Sequence, residues 1–193
     1  MGIDRRYFLT GLVGVLATSV RAQERGMSRL TASAFSFAAL DGGEIRLVDY
    51  AGKPILIVNT ASRYAFTPQY AGLQELWTRF RDRGLVVIGV PSNDFGGQEP
   101  GGPDEIVKTA HETYGVTFPL AAKAEVKGAK QHPFYKWAAV ERPFELPSWN
   151  FHKYLIGRDG HIAASFKTDV EPADARIVAA ISRELGAAGA ATN

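Results

Sequence analysis

The side chains that could carry redox or nucleophilic chemistry form an unusual set, because one type is missing altogether. The chain of 193 residues contains no cysteine. It therefore cannot form a thiolate nucleophile, a disulfide, an iron–sulfur cluster or a cysteine-ligated zinc site. A Gly-x-Ser-x-Gly turn, which would support a serine hydrolase, is also missing from the sequence.

The histidines give no sign of a metal centre either. They lack the spacing that places two imidazoles on one helical turn, so we expect surface or loop positions for all four: His111, His132, His152 and His161. The glycine-rich stretch at residues 95–100 lacks the Gly-Lys-Ser/Thr ending of a phosphate-binding loop. The sequence accordingly predicts neither a metal nor a cofactor.

Composition and charge narrow the class of protein. Hydrophobic residues make up 46% of the chain and charged residues 22%, which are ordinary proportions for one globular domain of this length. Lys and Arg total 22 against 20 Asp and Glu, so the formal net charge is +2. This balance argues against a nucleic-acid binder, which usually carries a basic face.

Two continuous apolar runs, residues 54–59 and 85–90, predict parallel strands that are buried on both faces of a sheet. Between them, apolar side chains recur at helical spacing: Tyr70, Leu73, Trp77 and Phe80. Thr67 is the expected N-cap of this helix, with Pro68 at the first helical position, and the helix should end before Gly84. Strand, helix and strand together predict a right-handed parallel unit.

The remaining segments should complete the sheet and cover it. Strand patterns occur at residues 44–48, 151–156 and 161–166, and a Gly-Arg-Asp-Gly turn joins the last two. Helical patterns occur at residues 103–114, 133–140 and 172–185. We expect an α/β fold of the thioredoxin-like type, a three-layer sandwich with a central mixed sheet and flanking helices. Periodicity does not supply the order of the strands.

Four stretches of the chain form a recognisable set of motifs. The first stretch spans residues 52–100; it begins Gly-Lys-Pro-Ile-Leu-Ile-Val-Asn-Thr-Ala-Ser-Arg-Tyr at 52–64 and ends Asn-Asp-Phe-Gly-Gly-Gln-Glu-Pro at 93–100. The other three are Tyr-Gly-Val-Thr-Phe-Pro at 114–119, His-Pro-Phe-Tyr-Lys-Trp at 132–137 and Trp-Asn-Phe at 149–151. In this order and spacing they resemble the glutathione peroxidase family. The resemblance extends over about residues 35–185.

The resemblance implies an active site of four residues. In the family these are a cysteine or selenocysteine, a glutamine, a tryptophan and an asparagine, and the last three match Gln98, Trp149 and Asn150. Tyr64 occupies the position of the peroxidatic cysteine. A second cysteine found in many members falls on Ser92, and the resolving cysteine of thioredoxin-dependent members falls on about Ala110. All three sulfur positions therefore lack sulfur.

The family reaction depends on that sulfur. A thiolate attacks a peroxide oxygen and becomes a sulfenic acid, which a thiol then reduces through a disulfide. A phenol with the ordinary pKa of about 10 is only ~0.1% ionised at pH 7, against a few per cent for a thiol, and oxygen has no equivalent of reversible sulfur oxidation. We therefore expect no thiol peroxidase activity.

Each of the four site residues also has a purely structural interpretation. Trp149 could belong to the core, Asn150 could bond only to local backbone, and Gln98 could lie in a simple turn. Tyr64 could plug the pocket that the cysteine leaves, an interpretation we favour over a new chemical role. The sequence leaves these alternatives open.

The N-terminus has the features of an export signal. Arg5 and Arg6 precede an uncharged run that ends at Val20 and is too short to span a bilayer, and Ala22 completes a small-residue cleavage site. The Arg-Arg-Tyr-Phe-Leu block resembles a twin-arginine signal. We expect an export signal at residues 1–22, a lead-in at 23–34, the glutathione peroxidase-like domain at 35–186 and a flexible tail at 187–193. The expected location is periplasmic or secreted.

Two functions are consistent with these features. The first is an exported glutathione peroxidase-like protein without thiol peroxidase activity, which acts by binding a partner or a small molecule. The second is an active peroxidase-class oxidoreductase in the response to oxidative stress, using an unrecognised route or cofactor. The resemblance implies peroxide and glutathione or another thiol as partners, and we expect no nucleic acid and no membrane span in the mature chain. The short stretch from Trp137 to Trp149 resembles that of monomeric members, which favours a monomer.

Overall fold

The computed structural model describes residues 30–186. Their strands are β1 (Ser36–Ala38), β2 (Glu44–Arg46), β3 (Ile55–Thr60), β4 (Val86–Pro91), β5 (Lys153–Ile156) and β6 (Ile162–Phe166). Their α-helices are α1 (Gln69–Phe80), α2 (Pro103–Val107), α3 (Pro133–Glu141) and α4 (Ala175–Gly186). Shorter elements are the 3-10 turns Ala32–Ala34, Leu47–Tyr50 and Arg81–Arg83 and a π-helix at Lys108–Thr113.

The central sheet has four strands in the order β4-β3-β5-β6. Strand β3 is parallel to β4 and antiparallel to β5, and β5 is antiparallel to β6. Every residue of β3 and β4 is buried, as their continuous apolar runs predict. The predicted mixed sheet is confirmed, and the structure adds the strand order.

Apolar side chains cover both faces of this sheet. Successive residues of a strand point to opposite faces, so Leu56 and Ile57 of β3 belong to two different core clusters. The Leu56 cluster includes Ile177 of α4 and side chains of α1, whereas the Ile57 cluster includes Phe134 of α3. Helices therefore flank the sheet on both sides, which confirms the three layers.

Helix α1 begins one residue later than expected, because Thr67 is not its N-cap. Pro68 holds the cap position without a side-chain hydrogen bond. The Thr67 Oγ1 instead donates to the Ala61 carbonyl at 3.0 Å and accepts from the Tyr64 N–H at 2.9 Å. The threonine hydroxyl thus closes the turn that precedes the helix.

Two other predicted segments differ in backbone geometry. The predicted helix at residues 103–114 begins as α2 and continues as a π-helix, a change that apolar periodicity does not reveal. The predicted strand at residues 151–156 begins only at Lys153, because Phe151 has a φ of 61°, outside the strand region.

His152 corrects the expectation of a surface or loop histidine. It is buried immediately before β5, with its Nε2 3.0 Å from the Ser165 hydroxyl and its ring centroid 4.7 Å from that of Tyr154. Its position beside a central strand places the imidazole against the core of the sheet. The expectation rested on the spacing of the histidines along the sequence, and that spacing does not show which side chains tertiary packing buries.

The N-terminal part of the described chain forms a separate two-stranded antiparallel hairpin of β1 and β2. The sequence predicted β2 but not β1. The predicted export signal, residues 23–29 of the lead-in and the tail at 187–193 lie outside the described residues. Within residues 30–186, no helix is both long enough and apolar enough to cross a membrane.

Candidate active site

Tyr64 lies in the turn between β3 and α1, close to the N-terminal end of the helix. The turn is closed by the Thr67 hydroxyl and by a hydrogen bond from the Thr67 N–H to the Tyr64 carbonyl at 2.9 Å. A helix N-terminus presents unpaired N–H groups and favours a nearby negative charge. This location suits an anionic nucleophile, but the side chain present is a half-buried phenol.

The phenol ring belongs to a small aromatic group at the surface. Its centroid lies 5.3 Å from that of Phe66 and 5.9 Å from that of Trp149, and the Trp149 ring is also 6.1 Å from Phe95. The Trp149 side chain is nevertheless 37% exposed. The indole therefore lies at the open edge of the site and is not simply a core residue.

Gln98 reaches the same site from the glycine-rich loop that follows β4. Its carbonyl accepts a hydrogen bond from the Arg63 N–H at 3.0 Å, and its Nε2 donates to the Gly96 carbonyl at 3.2 Å. Gly96 has a φ of +67°, and a Cβ there would lie 3.4 Å from the Trp149 ring and 3.5 Å from the Gln98 Nε2. The glutamine amide and the indole thus flank one glycine, in a loop attached to the Tyr64 turn.

Asn150 is buried beneath these residues. Its Nδ2 donates to the Phe95 carbonyl at 3.3 Å, whereas its Oδ1 has no hydrogen-bond partner among the described residues. Phe95 is 55 positions away in the chain, so this is not a bond to local backbone. The asparagine ties the glycine-rich loop to the Trp149 segment, and the structure brings all four predicted site residues into one region.

The backbone at Phe151 adopts a left-handed conformation directly after Trp149 and Asn150. A φ of 61° is unfavourable for a bulky residue by roughly 1–2 kcal/mol. It is held by two hydrogen bonds to the end of β3, from the Phe151 N–H to the Asn59 carbonyl at 2.6 Å and from the Asn59 Nδ2 to the Trp149 carbonyl at 3.0 Å. These bonds fix the segment with the indole outward and the amide inward.

A hollow of about 230 Å³ opens beside Tyr64. Its walls combine aromatic rings, hydroxyl groups and one charge of each sign, contributed by Tyr64, Phe66, Ser148, Trp149, Lys167, Thr168 and Asp169. The phenol ring thus forms part of the wall of this hollow. No three His, Asp or Glu side chains within residues 30–186 are arranged to hold a metal ion.

The two other cysteine positions implied by the resemblance are both buried. The Ser92 N–H donates to the Thr60 carbonyl at 3.0 Å, and its hydroxyl accepts a weaker bond from the Asp94 N–H at 3.4 Å. Ala110 lies within the π-helix. A hydroxyl and a methyl group cannot take part in thiol–disulfide exchange.

Glu99 is a buried acidic residue that the sequence did not reveal as part of the site. Its Oε2 accepts a hydrogen bond from the Ser62 hydroxyl at 3.0 Å, and its Oε1 has no partner among the described residues. Burial raises the pKa of Glu99, and the bond from Ser62 acts in the opposite direction. The one sequence feature that could have indicated its role is that it directly follows Gln98, because the loop has no hydrophobic periodicity.

Lys153 is a buried cation that was also missed, because a lysine within an apolar strand pattern gives no functional signal. Its Nζ donates to the Gln69 Oε1 at 2.6 Å and to the Val170 carbonyl at 2.7 Å, and the Gln69 Nε2 donates to the Thr168 carbonyl at 2.8 Å. Burial lowers the pKa of Lys153 to about 8. The lysine holds in place the segment that forms one wall of the hollow.

Comparison with solved structures first identifies the fold class of the protein. A crystal structure of a thiol:disulfide interchange protein of the thioredoxin family from Chlorobium tepidum matches with a TM-score of 0.53 and 16% identity, covering 79% of this chain and 93% of that one. At this identity the likeness concerns the fold alone. The predicted thioredoxin-like fold is confirmed.

The family follows from closer relatives. The sequence model described as glutathione peroxidase matches residues 33–139. The hydroperoxy fatty acid reductase gpx1 of Synechocystis sp. is 46% identical over 147 residues, which cover 72% of this chain and 87% of the relative. The crystal structure of Trgpx in its apo form has a TM-score of 0.65 and 34% identity, covering 80% of this chain and 97% of that one. This chain belongs to the glutathione peroxidase family.

Proposed function

We propose that this protein is an exported member of the glutathione peroxidase family that binds a partner or a small molecule and does not reduce peroxides with thiols. One observation carries the proposal. Tyr64 stands where the family motif has its peroxidatic cysteine, in a chain with no cysteine at any position.

The rest of the site supports the interpretation that only the nucleophile has been lost. Gln98 and Trp149 carry N–H donors of the kind that stabilise charge developing on an attacked oxygen. The turn before α1 keeps the helix N-terminus that would stabilise a thiolate. A phenol at this position has no reversible oxidation ladder through which a thiol could complete a catalytic cycle.

A binding role is supported by the hollow beside Tyr64. Apolar and aromatic side chains with a few polar groups are the typical lining of small-molecule sites. Here the rings of Tyr64, Phe66 and Trp149 supply the apolar surface, and Lys167 and Asp169 supply opposite charges. A small ligand with an apolar part and a polar end matches these walls.

The test is a peroxide consumption assay on the purified protein with glutathione and, separately, with thioredoxin. We expect no thiol-dependent turnover above the rate without protein, and no visible absorbance from a bound cofactor. Turnover by the wild type that requires either thiol would refute the proposal.

A second candidate is peroxide reduction by another route. It is favoured by the Synechocystis relative, which is named a hydroperoxy fatty acid reductase and is 46% identical, and by the donors that remain at the site. Consumption of a fatty acid hydroperoxide with an added non-thiol electron donor and without any thiol, together with a cofactor absorbance band, would support this candidate over the first.

Export and the monomeric state belong to the same proposal. The pair Arg5 and Arg6 before an uncharged run supports the twin-arginine route to the periplasm or beyond. The short stretch between Trp137 and Trp149 supports a monomer. Light scattering on the purified protein should give the mass of one chain, and a mass of two or four chains would contradict this part.

A further inference from the structure

A second hollow, larger than the one beside Tyr64, lies away from that residue. It is a groove of about 700 Å³ between the β1–β2 hairpin with the following turn and the segment at residues 107–120. This volume is within the range of clefts that bind small organic molecules. The groove shares no lining residue with the hollow beside Tyr64, so its occupant is independent of the function proposed above.

Both sides of the groove are fixed by hydrogen bonds. The Leu40 N–H donates to the Leu120 carbonyl at 2.9 Å, which fastens the tip of the hairpin to the opposite segment. On that segment, the Thr117 N–H donates to the Gln74 Oε1 at 2.8 Å and its hydroxyl accepts from the Gln74 Nε2 at 3.0 Å. A groove held in this way need not order its walls when a ligand binds, which favours affinity.

The floor of the groove is apolar. Its buried residues are Ile45, Val116, Phe118 and Leu120. The half-buried ring of Tyr50 also lines the groove. This surface would bind an apolar body through the hydrophobic effect, and it offers no set of oxygen or nitrogen ligands for a bare metal ion.

The rim of the groove is acidic. Asp41, Glu44 and Asp49 are all exposed along it, and one cation, Arg46, faces Asp49 across 3.9 Å. With histidine neutral, the lining residues thus carry a formal charge of −2, whereas the whole chain carries +2. The groove is a local excess of negative charge, and a ligand anion would meet repulsion there.

We propose that this groove binds a small organic cation, with an aromatic or branched apolar body on the floor and a single ammonium group at the Asp41–Glu44 rim. The apolar floor favours a ligand with an apolar organic body, and the acidic rim favours a ligand with a positive charge. Neutral and anionic molecules of the same shape should bind more weakly, because only the cation gains the electrostatic contribution.

The test uses 2-phenylethylammonium as the probe and follows the backbone amide signals of the ¹⁵N-labelled protein. We expect saturable shifts at Leu40, Gly42 and Thr117, and no saturable shifts at Tyr64 or Trp149. The matched anion 3-phenylpropionate should bind at least roughly fivefold more weakly, and added salt should weaken the cation's binding.

Two variants with the same net charge separate the rim from general electrostatics. Asp41→Asn/Glu44→Gln removes two rim carboxylates and should weaken binding of the probe by roughly fivefold or more. Asp82→Asn/Glu145→Gln removes two exposed carboxylates from elsewhere and should leave the affinity unchanged. Equal affinities for the cation and the anion, equal losses in the two variants, or shifts confined to other residues would each overturn the proposal.

Discussion

The indole ring of Trp149 and the phenol ring of Tyr64 lie with their centroids 5.9 Å apart and their planes inclined at 57°. The contact places the exposed tryptophan directly beside the position at which the family carries its nucleophile. A cysteine at residue 64 would be much shorter than the phenol and would free the space that now separates the helix turn from the indole. The aromatic contact is therefore specific to the tyrosine-containing site.

Acid should destabilise the fold through His152. Burial, with the nearby charges of Lys153 and Lys167, lowers the pKa of this imidazole from the ordinary 6.5 to about 4. Between these values the unfolded chain binds a proton that the folded chain does not. The free energy of unfolding should therefore fall by roughly 3 kcal/mol as the pH falls from 6.5 to 4.

Denaturant unfolding across this pH range measures the effect. The variant His152→Gln should lose most of the pH dependence, whereas His111→Gln, at an exposed position, should keep it. Identical pH profiles for the wild type and His152→Gln would show that His152 is not the responsible group.

Alkali should have the opposite effect through Lys153. Burial lowers the pKa of its ammonium group from 10.5 to about 8, so the folded chain loses this proton before the unfolded chain does. The contribution of Lys153 to the free energy of unfolding should rise by roughly 3 kcal/mol between pH 8 and 10.5. Comparison with Lys153→Met isolates this contribution from those of all other groups, and Lys136→Met, at an exposed position, is the control. A constant difference between the wild type and Lys153→Met over that range would contradict the prediction.

Replacement of both Arg5 and Arg6 by lysine should trap the precursor inside a bacterial host, because the twin-arginine route reads the arginine pair. Immunoblots of cytoplasmic and exported fractions would show uncleaved precursor for the variant and a product cleaved near Ala22 for the wild type. Lysine keeps the positive charge, so the variant is its own control for a general charge effect. Unchanged export of the variant would exclude this route while leaving secretion itself possible.

The sequence was sufficient for features that depend on local pattern and insufficient for those that depend on tertiary contacts. The apolar runs at β3 and β4 identified buried strands because both faces of each strand are covered. The left-handed backbone of Phe151 could not be predicted, because hydrogen bonds to and from Asn59 in β3 hold it. The π-helix after α2 keeps an apolar spacing close to that of an α-helix and was not distinguished from one.

The candidate site shows the same division. Tyr64, Gln98, Trp149 and Asn150 were expected because the motifs that contain them resemble those of the glutathione peroxidase family. Glu99 was missed because a charged residue in a loop is normally exposed, and its burial arises from the contact with Ser62. Residues 167–169, which form one wall of the hollow, are distant in the chain from Tyr64 and Gln98. Lys153 holds this wall through tertiary hydrogen bonds, which a hydrophobic pattern in the sequence does not predict.

Gln98 should prove to be a functional donor once a thiol is supplied. In the Tyr64→Cys background, Gln98→Ala should lower glutathione-dependent peroxide turnover by roughly tenfold or more, because it removes a donor for the developing charge. The Gln98 side chain bonds only to the Gly96 carbonyl among the described residues, so the melting temperature should change little. Equal turnover by Tyr64→Cys and by Tyr64→Cys/Gln98→Ala would show that Gln98 does not take part in the reaction.

The loss of the nucleophile at residue 64 is tested most directly by hydrogen peroxide turnover with glutathione in three proteins: the wild type, Tyr64→Cys and Ala65→Cys. Only Tyr64→Cys should turn over peroxide, with a lowered thiol pKa and detectable sulfenic acid, because only that thiol lies at the helix turn beside Gln98 and Trp149. Glutathione should serve it better than thioredoxin, since the chain has no resolving cysteine. Thiol-dependent turnover by the wild type, or an inert Tyr64→Cys whose thiol titrates like a free cysteine, would contradict this conclusion.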